Sequence, residues 1–317
     1  MFSRINPQTT RKSALLGALV WAIVLFIRTS PQAETELIDK ILLLGVLVIV
    51  PLGLSLVRRS MRNEEPPLLY RLAVMAQPVG AVAVTISFFL EPGIKAALLA
   101  AAWMIVTALI ALYGLWRFWL NPQQPVAEVS ISIGLIYLAV GGGWLVMSRL
   151  GVQLLGFGDT IVLLTAVHFH FAGFAAPILT GLAGRNLVDP HRNAHLLLGG
   201  AAVAVTVGTP LVAAGITVSP VLALAGTLVI SLGLALLALL VLVWIVSSVS
   251  SVPARILLVI ASVSSLSAMV LASLYAYSIF SKTLIIDIPQ MAMSHGILNA
   301  FGFSLCGLLA WAIVRYE

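Results

Sequence analysis

The sequence predicts an all-α, polytopic membrane bundle of about ten transmembrane helices, because it is too apolar for a water-soluble surface and its apolar residues fall in long unbroken runs. Of 317 residues, 61% are hydrophobic and only 9% charged, with a mean hydropathy of +1.12. A soluble domain carries about a quarter charged residues. An outer-membrane barrel would show short alternating segments instead. Runs of about 20 residues are what a helix rising 1.5 Å per residue needs to cross a hydrocarbon core of about 30 Å.

Ten such runs occur in order. The first, Ser13 to Ile27, is short and follows Arg4, Arg11 and Lys12, as in a secretory signal peptide. Arg28 and Pro31 stand where the small residues of a cleavage site belong, so a retained helix is expected. The second and third run from Ile38 to Val57 and Leu68 to Leu90, and the fourth and fifth from Gly93 to Leu115 and Val126 to Met147. The sixth and seventh cover Thr160 to Leu182 and His195 to Val218. Val221 to Val246, Ile256 to Phe280 and Met291 to Val314 complete the set. Pro51, Pro78, Pro177 and Pro210 fall inside runs, where each removes a backbone hydrogen bond and can kink or break a helix. The hydrophilic connections are too short to fold on their own, so a single transmembrane domain over residues 1–317 is expected. Two sets of five helices would suit an inverted repeat, yet the halves share no visible sequence similarity.

The net charge of +6 is spread over short loops, which argues for membrane orientation and against a nucleic-acid partner. With the N-terminus inside, twelve of the 17 Lys and Arg residues face the cytoplasm. The other side keeps Arg28, Lys40, Lys95, Arg149 and Lys282. Both termini are therefore expected in the cytoplasm, with the lipid bilayer as the surrounding partner. Cys306 is the one cysteine, which excludes an internal disulfide and any CxxC motif.

Polar residues placed deep in a bilayer are the informative ones, because an unpaired donor or charge there costs several kcal/mol. Asp39 and most other carboxylates fall at span ends or in loops, and Glu128 sits at the expected cytoplasmic interface. His168, His170, His295, Gln77 and Asn299 lie deeper. His168 and His170 are two positions apart, about 200° around a helix, and so cannot chelate one ion on a regular helix. His295, Asn299 and Gly302 recur at i, i+4 and i+7 and form one stripe. That stripe suits either a polar cavity lining or a packing face hydrogen-bonded to a neighbour. For the paired histidines three roles stay open: a satisfied structural group, a proton-handling cavity lining, or ligation of metal or haem.

The run from His168 through Phe169, His170, Phe171, Ala172, Gly173 and Phe174 to Pro177, Gly184 and Arg185 resembles the YndJ-like bacterial membrane proteins, as does the run from Ser294 to Phe303. The resemblance implies a bacterial inner-membrane protein assigned to transport without an established substrate. It marks His168, His170, Gly173, His295, Asn299 and Gly302 as motif residues and gives none of them a role. Some relatives carry further sequence beyond the helical part.

Two functions follow as expectations. The first is a transporter or permease of a small or lipid-like molecule, without a cofactor, whose site lies between the sixth and tenth helices. The alternative is a membrane-embedded enzyme or redox protein holding a metal or haem on the histidines, with His168 and His295 as candidate ligands. A non-catalytic sensor or assembly factor is a third possibility.

Overall fold

The computed structural model describes residues 7–58, 65–187 and 192–314. Arg4, Arg59, Arg62, Glu64, Asp189, Arg315 and Glu317, which entered the charge and depth arguments, lie outside these. The described residues form ten long helices and no strand. In chain order they are α1 (Pro7–Val24), α2 (Ala33–Val57), α3 (Leu68–Ser87), α4 (Ile94–Leu120) and α5 (Val126–Leu150). They continue with α6 (Asp159–Asn186), α7 (Asn193–Val218), α8 (Pro220–Ser248), α9 (Val252–Ser281) and α10 (Ile288–Val314).

Nine of the ten are long and apolar enough to cross a membrane among the described residues. The exception is α1, whose first turns carry Arg11 and Lys12 and dilute its apolar stretch. The expected α2 is corrected at its start: it begins at Ala33, five residues before the apolar run, so Asp39 lies inside the helix. Its burial follows from its composition. Every residue from 41 to 57 is buried, as a helix apolar on all sides requires.

The fold divides into two compact units, Met1–Pro122 with Leu135–His170, and Gln123–Gly134 with Phe171–Glu317. In the first, α2 is the central helix. α1 docks on it through Gly17, where a Cβ would collide with the Leu47 carbonyl, and through Trp21 Nε1 donating to the Lys40 carbonyl at 2.7 Å. In the second, α7 and α8 form an antiparallel hairpin. Its turn is set by Ser219, whose hydroxyl accepts the Leu222 N–H, and by Pro220 in the first turn of α8. α9 ends on Lys282 in the left-handed conformation, φ 57°. α10 opens with a reciprocal cap between Asp287 and Gln290.

Two of the four prolines mark a departure from α geometry. π-helical turns occupy Gly45–Ile49 and Phe169–Ala175, and each ends two residues before a proline, Pro51 and Pro177. A proline lacks the N–H that would bond to residue i−4, and its ring pushes that carbonyl aside. Widening the preceding turn accommodates the displaced carbonyls. Side chains then satisfy carbonyls of the wide turns: Gln77 Nε2 donates to Val46 at 3.3 Å and Thr209 Oγ1 to Ala172 at 3.1 Å. Pro78 and Pro210 stay within α-helix. Further π turns lie at Val241–Ile245, Ala292–Gly296 and Leu298–Leu305.

Candidate functional site

The motif residues fall on or beside π turns. His168 closes the regular part of α6, His170 and Gly173 lie in its wide turn, and His295, Asn299 and Gly302 lie in the two wide turns of α10. Such turns recur at functional sites because they re-aim side chains and loosen the backbone. His168, His170 and Gln77 belong to the first unit, and His295 and Asn299 to the second.

His170 is fully buried. Its Nδ1–H donates to the Ala166 carbonyl at 2.8 Å, and its Nε2 accepts from Trp103 Nε1–H at 3.0 Å. A carbonyl can only accept and an indole N–H can only donate, so the two partners fix one neutral tautomer. The backbone of α5 comes close at Gly141, where a Cβ would stand 2.8 Å from Nδ1. His168 is half-buried and lies edge-on to Phe169 with ring centroids 5.4 Å apart. The two rings therefore meet different surroundings, as their spacing requires. Gln77 is buried and spends both ends of its amide on packing: Nε2 on Val46 of α2, and Oε1 on the Ser13 hydroxyl of α1.

The stripe on α10 is a packing seam against α9. His295 Nδ1–H donates to the Ala268 carbonyl at 2.8 Å, leaving Nε2 to accept from Asn299 Nδ2 at 3.0 Å. Asn299 also donates to the His295 carbonyl at 3.1 Å. One turn on, Gly302 lets α10 approach so closely that a Cβ would collide with the Ser264 side chain. Ala268 and Ser264 are four apart, so the helices run antiparallel with polar and small residues matched along the seam. A metal would need an imidazole lone pair. At both His170 and His295 that lone pair is already engaged.

Continuing down the seam, an apolar crevice opens within the second unit. Leu258, Ala261 and Ser262 of α9 and Phe303, Gly307 and Trp311 of α10 form two of its walls. α6 and α8 complete it through Leu179, Leu237, Ala238 and Val241. Its free volume is about 20 Å³, room for about one water. Ser265 and Ser304, buried on the same two helices, have hydroxyls without a hydrogen-bond partner.

Two charged constellations were undervalued by the sequence. Arg185 grips Glu128 with a two-pronged pair, Nε to Oε1 and Nη2 to Oε2, both at 2.7 Å. This pair joins the start of α5 to the end of α6 within the second unit. In the first unit Asp39 is 2% exposed and Arg149 8%, although both had been placed at span ends or outside the core. Arg149 Nη2 donates to the carbonyls of Ser87 and Leu90 at 3.0 and 2.7 Å and caps the C-terminal end of α3, where its charge suits the helix dipole. Its guanidinium also lies 4.8 Å from the centre of the Phe88 ring. A signal existed for Asp39: it sits between Ile38 and Ile41, at the entrance to a stretch that is apolar on all sides.

Nine helices of membrane-crossing length and apolar composition among the described residues define a multi-pass integral membrane protein. Comparison with known proteins narrows this class. The chain belongs to the YndJ-like protein family, whose profile matches residues 40–303. It is similar to the uncharacterized membrane protein YndJ of Bacillus subtilis (strain 168), with 28% identity over 280 residues, 88% of this chain and 49% of that protein. The chain thus spans about half the length of that curated relative. No solved structure matches it.

Proposed function

We propose that this membrane protein moves a lipid-like molecule, and that the α9–α10 seam of its second unit receives it. The observation that carries the reading is the apolar crevice at the lower end of a seam whose upper end is polar. From Asn299 to Gly307 is about 12 Å along the helix at 1.5 Å per residue. An amphiphile would then set its head at the polar end by taking the place of the Asn299–His295 contact, with its chain among Leu258, Phe303 and Trp311. The present crevice is too narrow for an acyl chain, so loading requires the helices to part. Val241 of α8 and Phe303 of α10, both lining the crevice, lie in π turns. Wide turns can shift register at smaller loss of backbone hydrogen bonding than a regular helix.

The test is transbilayer movement in liposomes containing the purified full chain. Fluorescent phospholipid, fatty acid and isoprenoid probes are offered in turn, and movement is read by quenching from outside with an impermeant reductant. At least one probe should cross faster than in protein-free vesicles, and Ala261→Trp, which fills the crevice, should remove the gain. If none of the probes crosses faster with the parent chain, the reading fails.

A further inference from the structure

We propose that Asp39 is a proton-exchange site within the first unit, with Arg149 as its counter-charge and water seated on Arg149 Nε–H and the Thr29 hydroxyl as the proton carrier. Three observations meet there. Asp39 is a carboxyl group almost wholly withdrawn from solvent, about 9 Å into the central helix α2 at 1.5 Å per residue. Arg149, more than nine-tenths buried, is the principal cation acting on it. Yet Arg149 spends its Nη2 on two backbone carbonyls of the α3 end, and its buried Nε–H has no hydrogen-bond partner. The Thr29 hydroxyl, also acting on Asp39, is buried without a partner as well.

Buried polar atoms are paired with protein or ordered water almost without exception. Both orphaned donors belong to side chains that act on one carboxyl group, and water satisfies such donors by accepting from them while donating to a carboxylate. Burial penalises the carboxylate charge while the guanidinium supports it. These opposed effects leave proton occupancy as the quantity free to change, because arginine keeps its own proton. In the exchange, hydronium transfers a proton to an Asp39 oxygen and leaves as water. The pair then changes from neutral to a lone positive charge, and the reverse step restores it.

Glu36 and Lys40, one turn before and one residue after, also act on Asp39, and their opposite charges offset each other. Lys40 is held by Glu36 at 2.6 Å and by the Leu25 carbonyl at 3.1 Å. Glu91 acts on Arg149 from the turn after α3. α1 carries Arg11 and Lys12 in its first turns, at the end away from Asp39. α6, which packs on α2, contributes Asp159 and His168.

The test reads Asp39 itself and uses its substitution only as the control. The chain contains four aspartates, Asp39, Asp159, Asp189 and Asp287. In D159N/D189N/D287N, made with carboxyl-¹³C aspartate and placed in liposomes, Asp39 is the sole labelled carboxyl group. Infrared difference spectra across a pH series should show its acid carbonyl band exchanging for a carboxylate band, and adding D39N should abolish both. An Asp39 band that stays wholly acid or wholly carboxylate throughout the pH range of the folded protein overturns the proposal, as does an unchanged signal with D39N present. This site does not depend on lipid movement by the second unit. A positive titration without lipid flux, or flux without titration, separates the two readings.

Discussion

At the scale of single residues, His170, His295 and Gln77 are satisfied by protein partners, and the way they are satisfied sets what their removal does. His170→Ala leaves the buried Trp103 N–H unpaired, a loss of about 1–3 kcal/mol before any cavity is counted. H170F together with W103F removes both partners at once. It is expected to recover part of that loss, because two apolar groups leave no orphan. Thermal unfolding of the two single variants and the double variant in detergent checks this; additive losses would deny the pairing. Asn299→Ala removes the donor to His295 Nε2 in a half-buried setting and is expected to lower stability by about 1 kcal/mol in the same assay. Sequence reasoning recognised these side chains as deep but left their roles open. A spacing says which face a ring occupies on its own helix, whereas Trp103 lies 67 positions from His170 and Ala268 lies 27 from His295.

At the scale of elements, close approach and local widening decide the architecture. Gly302→Leu would drive a side chain into Ser264 and is expected to separate α9 from α10. The variant should then lose its compact profile in size-exclusion chromatography, whereas Ile297→Leu on the same helix should not. The Glu128–Arg185 pair fastens α5 to α6 inside the second unit. Glu128→Gln leaves a nearly enclosed guanidinium short of its carboxylate, and removing one partner of a buried pair is destabilising by about 3–5 kcal/mol. Because this pair keeps some exposure, a smaller loss is expected. The exchanged pair E128R/R185E should restore part of it in thermal unfolding. The sequence located Pro51 and Pro177 as candidate breaks and treated all four internal prolines alike. Only the fold separates them, because the two that follow π turns have nearby Gln77 and Thr209 side chains for the carbonyls of those turns.

At the scale of the whole molecule, the charge asymmetry of the loops makes a definite claim about orientation. With Cys306 replaced by serine, Lys282→Cys at the exposed end of α9 is expected to react with an impermeant maleimide added to intact cells. Arg117→Cys, at the other end of α4, should react only after lysis. The reverse pattern would invert the bundle. The described helices reproduce most run ends to within a few residues, because an apolar stretch long enough to cross a bilayer has few alternatives to a helix. Departures of five or six residues occur at the starts of α1 and α2 and at the end of α4, where charged residues interrupt the apolar signal although the helix continues.

Composition and run length alone determined the class, the number of helices among the described residues and the deep placement of His170, Gln77 and Asn299, since these follow from the energetics of moving single side chains and backbone groups into hydrocarbon. Tertiary structure decided which of those groups are occupied. It closed His170 and His295 on protein partners, drew Asp39 and Arg149 inward from apparent helix ends, and opened an apolar crevice along α10. Each outcome depends on which distant carbonyl, donor or side chain arrives opposite, and that is set by packing between helices far apart in sequence.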